Sequence, residues 1–400
     1  KRDVMANRLP PVVWIIPAEE NNEHPYSSSP VQGADHTRQV LDALTSTPAV
    51  WAETVLFLNY DESDGFFDHM PSPAVPSFNP DGTPAGAATG VGAGEIHAPD
   101  KQPYGLGPRV PMIAISPWSR GGWVNSEVFD HTSVIRFLET RFGVMEPNIS
   151  RWRRAVCGDL TSCFDFTHPD AASPKSLPDV SRADAVVAVE SRLPVPAPPI
   201  VREALFQEKG TRPSRALPYA LHVDGSVVPG GAKLTLAFGN TGKAGAVFQV
   251  YDRLHLDRVP RRYTVEAGKA LAADWTADNA DQGRYDLWVY GPAGFMRAFT
   301  GRAADAEGIA LALRHDAATG EAVLTASNSG AARSVTVTPA AYRSDGPWTL
   351  DLARNGKTEH RWSLEQSGRW YDFVASVGDF HLRLAGRVET GKPSASDPAV

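Results

Sequence analysis

The chain has 400 residues, of which 42% are hydrophobic and 21% are charged, and its formal net charge is −7. This composition is that of a globular protein, so a wholly disordered chain is excluded, and the length predicts two or three domains. Nucleic-acid binding is not predicted, because it requires many basic residues on one face and the sequence has no basic block. No apolar run is long enough to predict a transmembrane segment.

Three short apolar runs near the start of the chain predict strands. They are nearly continuous in hydrophobic residues and occupy residues 11–17, 54–60 and 110–116. Runs of this kind are covered on both faces, which is typical of a parallel sheet in an α/β domain. Open α/β sheets place their sites at the carboxyl ends of strands, so the residues that follow each run are the first candidates for chemistry.

Two segments have the apolar spacing of helices, namely residues 37–44 and 133–142. Between them, residues 71–107 are rich in proline, glycine and alanine. This segment predicts a long excursion, which in a compact domain is usually functional or disordered. With the strands, these elements predict an α/β domain over residues 1–168.

The sequence contains two cysteines, Cys157 and Cys163, six residues apart. A local disulfide fits this spacing in an oxidising compartment, and two buried thiols fit it equally well. The cysteines therefore say little about where the protein is located.

The rest of the chain predicts a linker followed by two copies of one all-β domain. Residues 169–216 are rich in proline and alanine, which is typical of an extended linker. Beyond them, apolar residues alternate with period two, and the string GNTG at 239–242 recurs as SNSG at 327–330. We therefore predict tandem β-sandwiches at 217–303 and 307–390, which would be accessory modules for docking or shielding.

Histidines and carboxylates follow the predicted strands. His24 follows the first run, and the adjacent pair Asp61 and Glu62 follows the second, with Asp68 and His69 a few residues further on. Two adjacent carboxylates can hold one hard divalent cation, and an imidazole from a neighbouring strand end can complete the site or donate to a phosphoryl oxygen. An acidic turn is the alternative interpretation of Asp61 and Glu62.

Two further acid and histidine pairs lie near the predicted helices. Asp130 and His131 come at the start of the second helix, where Asp130 or Thr132 can act as the cap and His131 can hydrogen-bond a loop. From sequence, a structural and a chemical role for this pair are equally supported. Asp35 and His36 precede the first predicted helix and are interpreted as its cap.

Several common catalytic signatures do not occur in the sequence. There is no Gly-x-Ser-x-Gly elbow, no phosphate-cradling glycine-rich loop, no His-Glu-x-x-His and no cysteine-rich zinc pattern. The candidate residues therefore suggest attack on a phosphate ester assisted by a divalent metal ion of unidentified type. Two carboxylates and a histidine make half of such a site, and no nucleophile can be identified.

Longer strings surround the candidate residues and carry a family resemblance. They are YDESDGFFDH at 60–69, RVPMIAISPWSRGG at 109–122, DHTSVIRFLE at 130–139, EPNISRWRR at 146–154 and GDLTS at 158–162. The first three resemble the bacterial phospholipase C and acid phosphatase family of phosphoesterases, a branch of the alkaline-phosphatase-like superfamily. The last two strings and the tandem repeats are similar to the phosphocholine-preferring phospholipases C. The resemblance covers essentially the whole chain.

The resemblance implies an incomplete alkaline-phosphatase-like α/β/α domain followed by two β-sandwiches. The implied reaction is hydrolysis of phosphatidylcholine or sphingomyelin to phosphocholine and diacylglycerol or ceramide. In the family pattern, Asp61 and Glu62 are metal ligands and His24 faces the phosphoryl group. His69 and His131 match family positions whose roles are less defined.

The family's remaining parts have no counterpart in this sequence. They are a Glu-Asn metal pair, a Ser or Thr nucleophile and a secretion signal, which would all lie upstream of Lys1. The resemblance therefore predicts the C-terminal part of a secreted or periplasmic enzyme that meets a membrane surface transiently and is inactive as this chain alone. The alternatives are a phosphatase or phosphodiesterase acting on soluble esters, and a non-catalytic surface-binding protein.

Overall fold

A computed structural model of the chain describes residues 1–63, 70–90, 94–172, 176–180, 182–201, 203, 209–227, 233–276 and 281–399. The chain divides into two compact units. Unit 1 comprises Lys1–Met70, Pro108–Gly122 and Cys163–Glu208, and unit 2 comprises Pro71–Gly107, Trp123–Ser162 and Lys209–Val400. The segments of the two units alternate along the chain, so each unit is described by itself.

The helices and strands are as follows. The helices are α1 (Arg2–Met5), α2 (Pro30–Thr45), α3 (Pro48–Trp51), α4 (His131–Phe142), α5 (Arg151–Val156) and α6 (Ala183–Glu190). The strands are β1 (Leu56–Asn59), β2 (Gly86–Ala88), β3 (Met112–Ile115), β4 (Pro213–Ser214), β5 (Leu221–Val227), β6 (Lys233–Asn240), β7 (Ala246–Asp252), β8 (Arg261–Val265), β9 (Ala270–Thr276), β10 (Arg284–Tyr290), β11 (Met296–Arg302), β12 (Ile309–Asp316), β13 (Glu321–Asn328), β14 (Arg333–Ala341), β15 (Trp348–Leu352), β16 (Lys357–Trp362), β17 (Trp370–Val377), β18 (Phe380–Arg387) and β19 (Ser394–Ala395). In the part of the chain that the structure describes, no helix is long and apolar enough to cross a bilayer.

The second and third predicted strands of unit 1 are confirmed as β1 and β3, but the predicted parallel pairing is wrong. The two strands pair antiparallel, with Leu56 opposite Ile115. An apolar run indicates burial on two faces and carries no information on strand direction. The direction of pairing could therefore not be predicted from the two runs. As a consequence, the residues that follow β1 lie beside the start of β3, where the Tyr60 N–H donates to the Pro111 carbonyl at 3.3 Å.

The first predicted strand, at residues 11–17, is wrong. This segment has no regular secondary structure, and Trp14 and Ile16 are 68% and 89% exposed. A strand needs a partner for its backbone N–H and C=O groups, and among the described residues no strand pairs with this segment. Pro11 and Pro17 at its ends also lack the N–H that a ladder requires.

Helix α2 begins earlier than predicted. Ser29 and Gln32 form a capping box at its start, and Pro30 takes the first helical position. Asp35 and His36, interpreted as a cap, therefore lie inside the helix, and that interpretation is wrong. The missed signal was the Ser-Pro-x-Gln pattern, which lies before the apolar periodicity begins.

Unit 2 contains the two predicted β-sandwiches, which are confirmed. In the first, the sheet β5-β6-β9 packs on the strands β8-β7-β10-β11; in the second, β12-β13-β16 packs on β15-β14-β17-β18. The two four-stranded layers join edge to edge through antiparallel β11 and β18. Strand β2, from the predicted excursion, adds to the far edge by parallel pairing with β8. The result is one nine-stranded sheet and one continuous hydrophobic core.

The repeated asparagine and glycine positions build equivalent turns in the two sandwiches. Asn240 is 1% exposed and donates from Nδ2 to the carbonyls of Ala244 and Val265, at 2.8 and 3.0 Å. Asn328 makes the matching pair of bonds in the second copy. Because a buried amide must satisfy its hydrogen bonds, each asparagine ties its turn to a neighbouring segment. The repeat is therefore structural at these positions.

The structure matches neither alternative for the cysteines as stated, because Cys157 is buried but Cys163 is only half-buried. Cys157 and Cys163 are not joined by a disulfide. Cys157 is buried at the end of α5, and burial raises the pKa of its thiol. The Cys157 thiol is therefore a packing group and not a reactive thiolate.

Candidate active site

The structure brings two of the predicted strand-end segments together in unit 1. The Tyr60 hydroxyl, just after β1, donates to the Glu23 carboxylate, whose two oxygens both lie 2.9 Å from it. This bond ties the segment that carries His24 to the segment that carries Asp61 and Glu62. These two segments therefore meet at one end of β1, although the first predicted strand, whose end was to carry His24, does not form. A joint role of His24, Asp61 and Glu62 stays a prediction.

Glu23 is fitted closely against helix α2. A Cβ atom at Gly33 would lie 1.9 Å from Glu23 Oε1, so only glycine leaves room for this carboxylate as it is placed. Glu23 also has a φ of 66°, a left-handed conformation that costs energy in a residue other than glycine. Burial, together with the Glu23 carboxylate, raises the pKa of Tyr60 to about 12. Tyr60 therefore remains a proton donor at neutral pH.

We expect Tyr60→Phe to loosen this end of β1. The variant keeps the ring and removes the hydroxyl, so the free energy of unfolding should fall by about 1.5–3 kcal/mol, the usual range for a hydrogen bond to a charged group. Urea denaturation measures the change. Tyr104→Phe is the matched control, because its side chain is 58% exposed. Equal stability of the two variants would show that the Glu23 contact contributes nothing.

The three candidate residues at this end of β1 are exposed. The His24 backbone N–H donates to Asn22 Oδ1 at 2.9 Å, and its ring lies 5.7 Å from that of Tyr26. Asp61 Oδ1 accepts from the Glu62 N–H at 3.0 Å. Carboxylate oxygens suit a hard divalent cation, but no group of three His, Cys, Asp or Glu side chains within the described ranges could hold one. The described donors do not complete a metal site, so we derive no chemical step through a metal.

The prediction for His69 lies outside the described residues. Residues 64–69, which include Asp68 and His69, are not among those that the structure describes. Their place in a site therefore stays a prediction from the sequence.

Asp130 and His131 lie in unit 2, at the start of α4. Asp130 is the N-cap residue and forms a capping box with Ser133, so it is the cap of the two candidates left open by the sequence. Thr132 donates from Oγ1 to Asp130 Oδ1 at 2.6 Å. His131 is the first helical residue and is exposed. A chemical role for His131 stays a prediction.

Arg153 joins Asp130 to a second buried carboxylate. Its guanidinium donates to Asp130 Oδ2 at 2.5 Å and to the two oxygens of Glu95 at 3.1 Å each. The side chains of Glu95 and Asp130 are only 3% and 4% exposed. Buried charges are tolerated when they are paired and hydrogen-bonded. Arg153 therefore makes the burial of both carboxylates tolerable.

The neighbours of Arg153 also have packing roles. Trp152 is fully buried, and its Nε1 donates to Thr264 Oγ1 on β8 at 3.0 Å. Arg154 forms a two-pronged pair with Glu139 of α4, at 2.8 Å for each bond, and lowers the pKa of Glu139 to about 2. The string EPNISRWRR therefore fastens α5 to the first sandwich and to α4. The sequence reasoning did not identify this role, although two arginines beside a tryptophan were a signal for it.

Two family models match the chain. The model of the phosphoesterase family matches residues 1–145, and the model of the bacterial phospholipase C C-terminal domain matches residues 213–302 and again 309–387. Residues 1–145 are therefore similar to the phosphoesterase family. The later part of the chain is similar, twice over, to the C-terminal domain of bacterial phospholipases C.

Three relatives align with the whole of this chain. It is 50% identical to a non-hemolytic phospholipase C of Pseudomonas aeruginosa, 45% identical to a non-hemolytic phospholipase C of Burkholderia pseudomallei and 42% identical to a hemolytic phospholipase C of Pseudomonas aeruginosa. Each alignment covers 100% of this chain but only 60%, 58% and 58% of the respective relative. The chain thus spans less than two thirds of the length of these relatives.

Proposed function

We propose that this chain is part of a phospholipase C that hydrolyses the phosphodiester of choline phospholipids. The products would be phosphocholine and either diacylglycerol, from phosphatidylcholine, or ceramide, from sphingomyelin. The observation that carries the proposal is the alignment of the whole chain with relatives named phospholipase C, at up to 50% identity. The contact between Tyr60 and Glu23 supports it, because it joins the two segments that hold the candidate residues.

In this proposal, His24 donates a hydrogen bond to a phosphoryl oxygen of the substrate. Its exposed imidazole can reach a headgroup, and the Tyr60 bond to Glu23 fixes the segment that carries it. Asp61 and Glu62 are proposed oxygen ligands of a divalent cation, for which they supply part of a shell. His69 and His131 are proposed as further site residues on the family pattern alone.

We also propose that the 400-residue chain does not hydrolyse phospholipid by itself. Within the described ranges the candidate residues supply no three-ligand metal group, and the sequence offers no recognisable nucleophile. Full activity would then need further parts of the kind found in the longer relatives. A secreted or periplasmic location follows from the same proposal, since phospholipid surfaces outside the cell would be the substrate.

Release of phosphocholine from phosphatidylcholine vesicles by the full-length gene product tests this function. We expect Asp61→Asn and His24→Ala to lose most of the activity, since each removes a group proposed to act on the phosphate. The matched controls are Glu53→Gln and His168→Ala, two exposed residues of the same unit. They should retain the activity of the unaltered protein.

Two other outcomes would assign a different function. Turnover of p-nitrophenyl phosphate without release of phosphocholine would indicate a phosphatase acting on soluble esters. Absence of turnover with any ester and any divalent metal would indicate a non-catalytic surface-binding protein. The same assay on the 400-residue chain tests its proposed inactivity.

A further inference from the structure

Residues 11–17 expose an unbroken apolar stretch of unit 1. The five side chains from Val12 to Ile16 are 38%, 50%, 68%, 50% and 89% exposed. Consecutive side chains point in different directions, so exposure of all five leaves more than one side of the segment bare. Single exposed apolar residues are ordinary, but a contiguous apolar patch marks a surface that a partner covers.

This exposure is not the fraying of a chain end. On one side of the stretch, Val4 of α1 is 3% exposed. On the other side, Glu23 accepts from the Tyr60 hydroxyl at 2.9 Å and packs against Gly33 of α2. Frayed ends lack such contacts. The stretch is therefore tethered on both sides, while its apolar residues remain exposed.

The sheet of unit 1 also leaves apolar surface exposed. In the described part of the chain, β1 and β3 pair only with each other. Every side chain of these two strands is at least partly exposed, and Ile113 of β3 is 50% exposed. A two-stranded sheet is marginal by itself and is stabilised by further strands. Both this sheet and residues 11–17 therefore present apolar surface that additional strands would cover.

The backbone of residues 11–17 indicates what kind of partner fits. Pro11 and Pro17 have no N–H, and the five residues between them each have one. Among the described residues, no strand pairs with this stretch. A polypeptide strand supplies N–H and C=O groups together with apolar side chains, as in the addition of a peptide to a sheet. A bilayer would cover the side chains and leave the backbone groups unpaired.

The charges beside the stretch also disfavour a membrane. Glu19 and Glu20 follow it closely and are exposed, and Arg8, which precedes it, pairs with Asp3 at 3.3 Å. Segments that bind membranes carry Lys or Arg beside their apolar residues, because anionic lipid attracts cations and repels carboxylates. The flanking residues therefore favour a polypeptide partner over a lipid surface.

The longer relatives indicate which polypeptide this is. The phosphoesterase model matches residues 1–145, which include the exposed stretch. The alignment with the non-hemolytic phospholipase C of Pseudomonas aeruginosa covers all of this chain but 60% of that relative. A large part of the relative thus has no counterpart here, and it is long enough to supply several strands.

We propose that residues 11–17 form a docking segment for the part of the full-length protein that this chain does not contain. Apolar side chains of that part cover Val12–Ile16, and one of its strands pairs with their backbone. The same part adds strands to the sheet of β1 and β3. The inference uses the proposed function only for the expectation that the full-length protein is longer than this chain.

Hydrogen exchange measured by mass spectrometry tests the docking segment in the 400-residue chain and in the full-length gene product. We expect the amides of residues 12–16 to exchange freely in the chain and about 100-fold more slowly in the full-length protein, because paired amides are protected. The matched control is the stretch 195–201, where Val195 and Val201 are 93% and 69% exposed and three prolines prevent pairing. It should exchange at the same rate in both proteins.

A substitution gives a second, independent test. Ile16→Ser should leave the urea midpoint of the 400-residue chain unchanged, because this side chain is 89% exposed. In the full-length protein the same substitution should lower the midpoint, because it removes an apolar group from the docked surface. Val195→Ser is the control and should have no effect in either protein.

Three results would overturn the proposal. One is free exchange of residues 12–16 in the full-length protein, and another is an Ile16→Ser substitution that is neutral in both proteins. The third is protection in the 400-residue chain alone that rises with its concentration or with added phosphatidylglycerol vesicles, which would make the partner a second copy or a bilayer. Neither measurement needs turnover, so protection in a full-length protein that releases no phosphocholine would keep the docking segment and reject the proposed function.

Discussion

Replacing Arg153 by alanine is expected to lower the free energy of unfolding by about 3–5 kcal/mol, the usual cost of breaking a buried ion pair from one side. The substitution leaves Glu95 and Asp130 nearly fully buried without their counter-charge. It also removes the bond to the Gly105 carbonyl, at 2.9 Å, which holds the segment that precedes β3. Urea denaturation, followed by far-ultraviolet circular dichroism, measures the loss.

Two further variants separate buried-charge effects from simple truncation. Arg8→Ala removes an arginine whose ion pair with Asp3 is exposed, with 69% and 66% of the two side chains accessible, and should change stability by less than about 1 kcal/mol. Adding Glu95→Gln to Arg153→Ala removes one of the two unpaired carboxylates and should restore part of the stability. A loss at Arg153 no larger than that at Arg8 would mean that the carboxylates find other partners.

The β-sandwiches could be predicted because their signals are local. Period-two alternation reports one covered face, and the recurrence of Asn240 as Asn328 reports two copies of the same turn. Neither signal depends on which segments meet in three dimensions. The joining of the two copies through β11 and β18 does depend on it, and nothing in the sequence indicated that pairing.

The α/β region was predicted less well for the same reason. The runs at β1 and β3 were recognised, but their direction depends on a partner that an apolar run does not specify. Residues 11–17 have the composition of a strand. Among the described residues, however, no strand pairs with them. Local composition can identify a strand, whereas pairing decides whether it forms.

The candidate site shows the same limit. Asp61 and Glu62 could be selected because they are adjacent in sequence. The bond from Tyr60 to Glu23 spans 37 residues, and the pair of Arg153 with Glu95 spans 58, so neither is visible as a motif. Arg153 lies in one of the strings that carry the family resemblance. That string does not show that Arg153 neutralises two buried carboxylates.

Acid is expected to destabilise unit 2 through two histidines at the junction of its sandwiches. His222 of β5 and His315 of β12 have ring centres 6.2 Å apart. His315 Nε2 lies 2.8 Å from the Tyr371 hydroxyl, which accepts from the buried Arg297 at 3.0 Å. The Tyr371 proton is therefore available for Nε2, which makes His315 a neutral acceptor. Protonating it would break that bond and place a second cation beside Arg297.

The surroundings of both rings disfavour their charged forms. Burial first, and then nearby arginines, lower the pKa of His222 to about 4 and that of His315 to about 3. Arg314, paired with Asp224, is the neighbouring cation on the strands that carry the two rings. The Nδ1 atoms of both histidines are also buried without a hydrogen-bond partner. His222 Nε2 lies 3.0 Å from Thr241 Oγ1, and Asp224 raises the pKa of His222, but burial and the nearby arginines outweigh this effect.

The sign of the pH effect follows from these lowered pKa values. In the unfolded chain a histidine takes up its proton near pH 6.5, whereas the folded protein resists protonation until about pH 4 or 3. Stability is therefore complete above pH 6.5 and falls as the pH decreases, by about 1.4 kcal/mol per pH unit for each histidine. Both together predict a loss of about 2–4 kcal/mol between pH 6.5 and pH 5, measured by urea denaturation at each pH.

Glutamine variants show whether these two rings cause the loss, since glutamine has no proton to gain in this range. His222→Gln with His315→Gln should flatten the stability profile between pH 6.5 and pH 5, and His222→Gln alone should remove about half of the slope. His168→Gln, at a side chain that is 82% exposed, should leave the slope as it is. A double variant that keeps the full slope would place the acid sensitivity elsewhere, because the junction would then contribute no difference in proton uptake between the folded and unfolded chains.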